Sequence, residues 1–393
     1  MNNNIKCVKE NDVFTVKLFG RIDTTNSAEI ESALMAAAAD EPAPVLDMAE
    51  LEYISSAGLR VLMKLLKRKG CRLKMLNVSD AVYDILETTG FTELFDVSRK
   101  MREISVEGCP VIGKGYYGTV YRIDEETIVK VYNFPDSIEM IKNEKKLART
   151  ALVAGVPTAI SYDIVRVGDG YGSVFELLNA KTLNDMLVEA QDDVDSMTRK
   201  YAEFFHLVNS RTVPDGKLRS AKEQFMGYLE VVRRSVDSSL YERLKTLLEE
   251  IPEQNNVVHG DAQMKNVMVV DDEPMLVDMD TVCVGHPIFD LQAVYVTYFA
   301  FGEDEPENSM NFLGLPASVS HRVWEKFIGY YFDTDDEALI AQYRDKISIV
   351  GCIRFMYLID CVSDYGTELY KLRVKHTAER LKKLADRVDT LLF

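Results

Sequence analysis

The segment from Val257 to Val284 limits the possible folds of this chain more than any other stretch. It interrupts a region that is otherwise helical in pattern, and it consists of short apolar runs separated by polar turns. In its first polar turn, Asp261 precedes Asn266 by five positions. A later apolar run ends in two carboxylates, Asp278 and Asp280, which an extended strand would place on the same side. Four oxygen-bearing side chains in this order indicate a functional site.

These four side chains suit phosphoryl transfer. That reaction needs one carboxylate to orient and deprotonate an acceptor hydroxyl, and oxygen ligands to hold Mg²⁺. Asp261 fits the role of the base. Asn266, Asp278 and Asp280 carry the hard oxygen atoms that magnesium prefers. Each piece alone could belong to an ordinary turn, so the prediction depends on their order along the chain.

A glycine-rich sequence lies far upstream of this segment. Gly113, Gly115, Gly118 and Val120 spell GxGxxGxV between two predicted strands. Glycine lets the backbone approach phosphate oxygens, so that its N–H groups can donate to them. A plain tight turn is the alternative, and a dinucleotide site would need a helix next, whereas Val120 opens a strand. The context favours a lid over nucleotide phosphates.

Lys130 lies between two valines in the next predicted strand. A buried ammonium group is costly unless an anion pairs with it. The following helix, predicted to begin near Asp136 with Glu139 completing a capping box, can supply that anion. Its predicted inward stripe is Ile141, Glu144, Ala148 and Leu152. We therefore predict Glu144 as the partner of Lys130, the alternative being a solvated helical glutamate.

The order of these motifs resembles the aminoglycoside phosphotransferase and choline kinase group, whose protein-kinase-like fold carries HGDxxxxN in its catalytic loop. The likeness covers residue 104 to about residue 300, with His259 to Asn266 as the matching loop. It implies a bilobal α+β kinase-like domain. The β-rich N-lobe would span residues 104–182 and the mostly helical C-lobe residues 183–393.

The resemblance also implies roles on the nucleotide side of the site. The three glycines would cover the triphosphate of ATP or GTP. Lys130 and Glu144 would form an ion pair beside it. Glu176 and Leu178 fall at the position of the hinge that contacts the nucleotide base.

On the acceptor side, the resemblance implies that Asp261 is the catalytic base and that Asn266 and Asp278 hold Mg²⁺. Asp290 falls at a structural aspartate behind the catalytic loop. Eukaryotic protein kinases differ, because Gly260 replaces the arginine of HRD and no room remains for a phosphorylated activation loop. This difference favours a small hydroxyl acceptor over generic protein phosphorylation.

The first hundred residues alternate strand-like and helix-like patterns and predict a separate α/β domain at residues 1–100. Residues 51–62, which follow a predicted strand and open a helix that Gly70 ends, resemble the STAS domain of anti-sigma factor antagonists. That family carries a phosphorylated serine at this helix start, which by position is Ser56. A phosphate would meet free N–H groups and the positive end of the helix dipole there. Capping of the helix by Ser56 is the equal alternative, and Asp80 is predicted to cap the next helix.

The amino-acid composition limits the possible binding partners of the protein and its possible location in the cell. The net charge of −17 disfavours nucleic acid. Six scattered cysteines fit a reducing cytoplasm, and no apolar run is long enough to span a membrane. The acidic runs Glu303–Glu307 and Asp333–Glu337 could receive a cationic acceptor, although charged helix ends explain them as well.

Two functions follow from the sequence. The first is an ATP- and Mg²⁺-dependent phosphotransferase that acts on a hydroxyl of a small molecule, with the STAS domain as a regulatory module. The second is a signalling protein whose kinase part phosphorylates Ser56 of its own or another STAS domain. The sequence specifies neither the acceptor nor the oligomeric state.

Overall fold

The computed structural model describes residues 4–10, 13–115, 117–134, 137–178, 180–362 and 366–393. The chain divides into two compact units. Residues 1–105 and 164–169 form the first, and residues 106–163 and 170–393 form the second. No helix in the described ranges is both long and apolar enough to cross a membrane. The predicted division of the kinase-like region at residues 182 and 183 stays a prediction.

The first 105 residues form a five-stranded sheet with helices. The strands are β1 Ile5–Glu10, β2 Val13–Ile22, β3 Val45–Ile54, β4 Lys74–Val78 and β5 Asp96–Arg99. The helices are α1 Ser27–Ala37, α2 Ser56–Lys69, α3 Asp80–Thr88 and α4 Phe91–Leu94. Strand order follows the chain; β1 and β2 are antiparallel and the other pairs are parallel. The predicted α/β class is confirmed.

The start of α2 tests the interpretation of Ser56 as a helix cap. Ser55 occupies the cap position, and its hydroxyl accepts a hydrogen bond from the Ala57 N–H at 3.2 Å. Ser56 is the first residue of the helix and its side chain is exposed. Capping by Ser56 is therefore wrong. The predicted cap of α3 is wrong in the same way, because Ser79 holds the cap position and Asp80 is the first helical residue.

Residues 106–393 contain short strands followed by many helices. The strands are β6 Val111–Lys114, β7 Gly118–Arg122, β8 Thr127–Tyr132, β9 Asp163–Val167, β10 Gly170–Glu176, β11 Lys181–Thr182, β12 Val257–Val258, β13 Val267–Val270, β14 Glu273–Leu276 and β15 Cys283–Val284. The helices are α5 Ile138–Val153, α6 Leu183–Glu189, α7 Val194–Ser210, α8 Ala221–Val232, α9 Ser238–Glu249, α10 Ile288–Tyr295, α11 Phe301–Glu303, α12 Glu307–Leu313, α13 Ala317–Tyr331, α14 Glu337–Val362 and α15 Glu368–Ala385. This confirms a β-rich part followed by a helical one.

The long helix α5 brings a carboxylate onto a buried face. It begins at Ile138; the predicted cap Asp136 lies outside the described residues. Its buried residues are Ile141, Glu144, Leu147, Ala148 and Ala151. Leu152, predicted to face inward, is 45% exposed, because a stripe repeating every 3.6 residues reaches Ala151 instead.

An aromatic core supports the segment that carries the predicted base. Tyr201, Tyr298 and Phe327 are buried and pack ring against ring. The Tyr201 hydroxyl donates to the Ala262 carbonyl at 2.6 Å, and the Tyr298 hydroxyl accepts from the Met264 N–H at 3.0 Å. The aromatic core therefore fixes the backbone at Ala262 and Met264, just after Asp261 in the chain.

Candidate active site

The loop after β12 has a shape that requires glycine at its second position. Gly260 has φ +85°, in the left-handed region that side chains disfavour. A Cβ atom at Gly260 would lie 2.8 Å from the Thr281 carbonyl oxygen. The Thr281 hydroxyl also donates to the His259 carbonyl at 2.7 Å. An arginine could not replace Gly260 unless the backbones of Gly260 and Thr281 moved apart.

Asp290 holds the same loop from beneath. Its two carboxylate oxygens accept the N–H groups of His259 at 2.9 Å and Gly260 at 2.8 Å. Asn209 donates a third hydrogen bond at 2.7 Å and is itself bound by the Tyr331 hydroxyl. Burial raises the pKa of Asp290, while these donors and the nearby His259 oppose that rise. Asp290 thus contacts loop backbone rather than open cleft.

Asp261 lies in the middle of this loop. Its Oδ2 atom accepts hydrogen bonds from the amide groups of Asn266 at 2.9 Å and Gln263 at 2.7 Å. Asn266 also donates to the Asp261 carbonyl, so its Nδ2 atom makes two hydrogen bonds across the loop. These bonds fix the direction of the Asp261 carboxylate.

Lys130 points from β8 to two carboxylates. Its Nζ atom lies 3.3 Å from Glu144 Oε1 and 2.6 Å from Asp278 Oδ1. Burial lowers the pKa of Lys130, but Asp278 and Glu144 raise it more, so the net shift is upward. Lys130 is therefore a fixed cation between the helix α5 and the segment after β14.

The two aspartates after β14 occupy different environments. Strand β14 ends at Leu276, so the predicted strand that would place Asp278 and Asp280 on one side is wrong. Asp278 instead adopts a left-handed conformation (φ 54°, ψ 62°), and a 3₁₀ turn follows at Met279–Thr281. The Asp278 side chain is 55% exposed. Burial, with Glu144 and Asp278 nearby, raises the pKa of Asp280 to about 6.

These oxygen donors fit a magnesium ion that is shared with phosphates. No set of three or more His, Cys, Asp or Glu side chains within the described ranges is arranged as a complete metal cage. Magnesium commonly takes only one or two protein carboxylates and completes its shell with phosphates and water. The excess negative charge that raises the pKa of Asp280 is also what a cation would neutralise. Asn266 uses Nδ2 for its loop bonds, which leaves its amide oxygen for a metal.

The glycine-rich sequence forms a hairpin between β6 and β7. The Gly115 N–H donates to the Gly118 carbonyl at 2.9 Å. A Cβ atom at Gly118 would lie 2.5 Å from the Val131 carbonyl oxygen, so glycine is required there by the packing of β7 on β8. Gly113 and Gly115 have more room around them.

The structure joins the predicted residues in two sets. Lys130 contacts Glu144 and Asp278, and Asp261 contacts Asn266. Within the part of the chain that the structure describes, no side-chain hydrogen bond or ion pair joins these sets to each other. The backbone of Val277 connects them, because its N–H donates to the Asn266 carbonyl and its carbonyl contacts His259 Nε2 at 3.0 Å.

Glu176 and Leu178 follow the hairpin's sheet and stand apart from both sets. Glu176 ends β10 and is exposed, and Leu178 lies two residues beyond that strand. The intervening Leu177 N–H donates to the Glu126 carbonyl at 2.6 Å. The position lies in the connection between β10 and β11, and the role of Glu176 and Leu178 as a hinge stays a prediction.

Sequence reasoning missed two polar residues at the site. Tyr132 donates its hydroxyl to Glu144 Oε2 at 2.8 Å, opposite the Lys130 contact. Its position two residues after Lys130 on one strand could have suggested this, because such residues share a face. Gln263 fixes Asp261, but its sequence context carries no signal for that role.

The acidic run at Glu303–Glu305 contacts basic side chains of helix α15. The three pairs are Glu303 with Arg380, Asp304 with His376 and Glu305 with Arg373. In the second run, Asp336 accepts the N–H groups of Ala338 and Leu339 at the start of α14. Helix ends and interhelical pairs thus account for four of these carboxylates, those of Glu303, Asp304, Glu305 and Asp336.

A glycine-rich hairpin, a strand lysine paired with a helix glutamate, and a helical part that carries an aspartate–asparagine loop define a kinase-like phosphotransferase. Residues 108–317 match the family model of the phosphotransferase enzyme family, and residues 4–104 match that of the STAS domain. The first match covers more than half of the chain. The chain therefore belongs to the phosphotransferase enzyme family and carries an N-terminal STAS domain.

Two bacterial proteins are similar to the STAS part. BtrV of Bordetella bronchiseptica, a candidate anti-sigma factor antagonist, is 36% identical over 86 residues, which are 21% of this chain and 73% of BtrV. The anti-sigma-B factor antagonist of Bacillus subtilis is 25% identical over 103 residues, which are 25% of this chain and 94% of that protein. Both similarities cover no more than a quarter of this chain.

Solved structures show partial likeness. A choline/ethanolamine kinase family protein from Mesorhizobium loti is 15% identical with a TM-score of 0.46, over 70% of this chain and 87% of that chain. The ADP-bound aminoglycoside phosphotransferase APH(2'')-Ib is 13% identical with a TM-score of 0.46, over 77% and 98%. An anti-sigma factor antagonist from Mycobacterium paratuberculosis is 26% identical with a TM-score of 0.22, over 24% and 82%.

Proposed function

We propose that this protein transfers the γ-phosphate of ATP or GTP, with Mg²⁺, to a hydroxyl group of an acceptor in the cytoplasm. The observation that carries the proposal is the position of Lys130, whose ammonium group lies between Glu144 and Asp278. Glu144 keeps the lysine extended along the sheet. A nucleotide phosphate would take its place beside the same ammonium group, and Asp278 would be released toward the metal.

Asp261 is the proposed catalytic base. Asn266 and Gln263 both bind Oδ2, which leaves Oδ1 to accept the proton of the acceptor hydroxyl. The Asp290 contacts hold the backbone of the loop, so the carboxylate is oriented before the acceptor arrives. A fixed base of this kind usually contributes about 10²- to 10⁴-fold to the rate.

The remaining predicted residues take binding roles in this proposal. Asn266, Asp278 and Asp280 would hold Mg²⁺, which when bound supplies positive charge to the transferring phosphoryl group. Gly113 and Gly115 would let the hairpin backbone lie close to the phosphates. The peptide groups at Glu176 and Leu178 would contact the nucleotide base.

Transfer from γ-labelled ATP tests the proposal. Purified full-length protein with Mg²⁺ is incubated with aminoglycosides, choline and other amino-alcohols, and label in each product is counted. The proposal expects label in a hydroxyl compound, dependence on Mg²⁺, and loss of transfer in Asp261→Asn. Transfer by Asp261→Asn at the parental rate would contradict the assignment of the base.

The exposed position of Ser56 favours a second candidate, phosphorylation of a STAS domain. Because Ser55 caps helix α2, the Ser56 hydroxyl is left at the helix start, where a phosphate would meet free N–H groups. Mixing the active protein with Asp261→Asn as acceptor would test transfer between chains, since that variant has Ser56 but no base. Label at Ser56 in mass spectra, absent in Ser56→Ala and retained in Ser27→Ala, would support it; label at other sites only would reject it.

A further inference from the structure

A small cavity of about 100 Å³ lies directly beside the candidate catalytic loop. Gly260 and Thr281 form one wall, and they are the chain neighbours of Asp261 and Asp280. Pockets for whole small molecules usually enclose about 300–1,000 Å³. The cavity therefore fits one chemical group of a larger ligand whose remainder extends toward the loop.

Two arginines line this cavity, although the protein as a whole carries a net charge of −17. Arg354, on α14, places its guanidinium group 4.7 Å from the centre of the Tyr228 ring. Arg219 contacts the Asp280 carbonyl through a long hydrogen bond of 3.5 Å. Within the described part of the chain, no carboxylate lies within salt-bridge distance of either guanidinium group. By contrast, Arg373 and Arg380 of helix α15 are each paired with a glutamate.

The floor of the cavity is apolar. Val258, Phe225 and Phe289 are buried there, and so is Cys283. Burial raises the pKa of the Cys283 thiol to about 12, and the charges of Arg219 and Arg354 act against that rise. Both arginines line the same cavity as Cys283. A charged hydrogen bond to arginine is stronger in such surroundings than in water.

We propose that this cavity binds an oxyanion of the phosphate acceptor, a carboxylate or a phosphate group, through Arg219 and Arg354. The proposal rests on the proposed function and adds the chemical class of the substrate: a hydroxyl compound that also carries an acidic group. The side-chain amide of Gln224, which also lines the cavity, can donate a further hydrogen bond to such a group. The acceptor hydroxyl would then lie on the loop side, toward Asp261.

Matched compounds that differ in the oxyanion test the proposal. Glycerol, glycerate and glycerol 3-phosphate are compared with choline as acceptors of the full-length protein, with ATP and Mg²⁺. We expect an oxyanion-bearing compound to have the highest kcat/KM. Arg219→Gln and Arg354→Gln should each raise its KM about 10- to 100-fold with a smaller change in kcat, because each removes a charged hydrogen bond. A preference for glycerate indicates a carboxylate site, and one for glycerol 3-phosphate a phosphate site.

The control is Arg322→Gln, an exposed arginine of α13 that does not line the cavity. It should keep the parental KM. Arg354→Lys retains the charge and should recover part of the affinity, which separates loss of binding from misfolding. Faster transfer to glycerol or choline, or parental KM values in both glutamine variants, would overturn the proposal.

A binding measurement decides the case in which none of these compounds is phosphorylated. Calorimetric titration with inorganic phosphate and with acetate is done in saturating Mg²⁺ and ADP, so that the nucleotide site is filled. Binding that Arg354→Gln weakens at least tenfold supports the oxyanion site while counting against the proposed transfer to these hydroxyl groups. Absence of binding of both anions to the parental protein overturns the oxyanion site.

Discussion

The Lys130 ammonium group lies 2.6 Å from the Asp278 carboxylate, although 148 positions of the chain separate the two residues. This contact joins strand β8 to the segment after β14. It also gives Lys130 two anionic partners, since Glu144 lies on its other side. The lysine is therefore held in place by one buried carboxylate and one exposed carboxylate. Removing the buried carboxylate should have a different effect from removing the exposed one.

Removing the Glu144 charge should impair nucleotide use. In Glu144→Gln, Lys130 keeps only Asp278, and the hydrogen bond from Tyr132 is weakened. We expect kcat/KM for ATP to fall about 10- to 100-fold, as for a lost charged hydrogen bond. Steady-state kinetics with varied ATP measures this. The matched control is Glu139→Gln on the same helix, an exposed residue paired with Lys142, which should change kcat/KM less than twofold.

Replacing the proposed base should abolish most of the chemistry while leaving the fold intact. Asp261→Asn keeps the size of the side chain and one oxygen for the amide donors. We expect transfer to fall about 10²- to 10⁴-fold with nucleotide affinity retained. The control is Asp271→Asn, in the exposed turn between β13 and β14, where φ is 49° and asparagine is well tolerated. Equal losses in both variants would show that the effect is not specific to Asp261.

A methyl group at residue 260 should destabilise the second unit. Gly260→Ala forces a side chain into the left-handed region and into the Thr281 carbonyl, with an expected cost of about 3 kcal/mol. Gly216→Ala meets the same φ penalty (φ +73°) but has open space, so its cost should be about 1 kcal/mol. Urea unfolding compares the two. Equal costs would mean that the contact with Thr281 relaxes without penalty.

His286 should make the second unit less stable in mild acid. Burial lowers the pKa of His286 to about 4, and the nearby Lys346 adds to this effect. Its Nδ1 atom accepts the Ile288 N–H at 3.2 Å, a bond that protonation of Nδ1 would break. Below pH 6.5 the unfolded chain binds a proton that the folded chain excludes. Stability should therefore fall by about 2 kcal/mol from pH 7 to pH 5, and the fall should end near pH 4.

Thermal unfolding at pH 7 and pH 5 measures this loss. His286→Asn retains an acceptor for the Ile288 N–H but cannot be protonated in this range, so its unfolding midpoint should change less with pH. His206→Asn serves as the control, because His206 is exposed. If His286→Asn keeps the full pH dependence, another group is responsible.

Local patterns predicted most of the fold, because apolar periodicity and glycine positions act within a few residues. Gly70, at φ 66°, ends α2 as predicted. Strand β1 escaped prediction because its residues are half-buried at best and show little apolar alternation. Ser55 was missed as the cap of α2, since two adjacent serines offer the helix the same chemistry.

The sequence predicted which types of residue form the site, but not all of the contacts among them. A lysine within an apolar strand needs an anion, and this need pointed to Glu144. The sequence does not show which carboxylate from a distant part of the chain lies near a given basic side chain. The pairing of Lys130 with Asp278 and of Arg380 with Glu303 therefore had no sequence signal. The left-handed turn at Asp278 was also missed, because aspartate alone does not distinguish it from a strand end.

The hydrogen bonds that Asp290 accepts from the loop limit which amino acids can occupy position 290. Two adjacent N–H groups, those of His259 and Gly260, point at two separate oxygens of one carboxylate. Asparagine has nearly the same shape, but its NH₂ group would face one of these donors, and glutamate is one methylene too long for the fully buried space. Among the twenty amino acids, aspartate alone offers two acceptors at this reach.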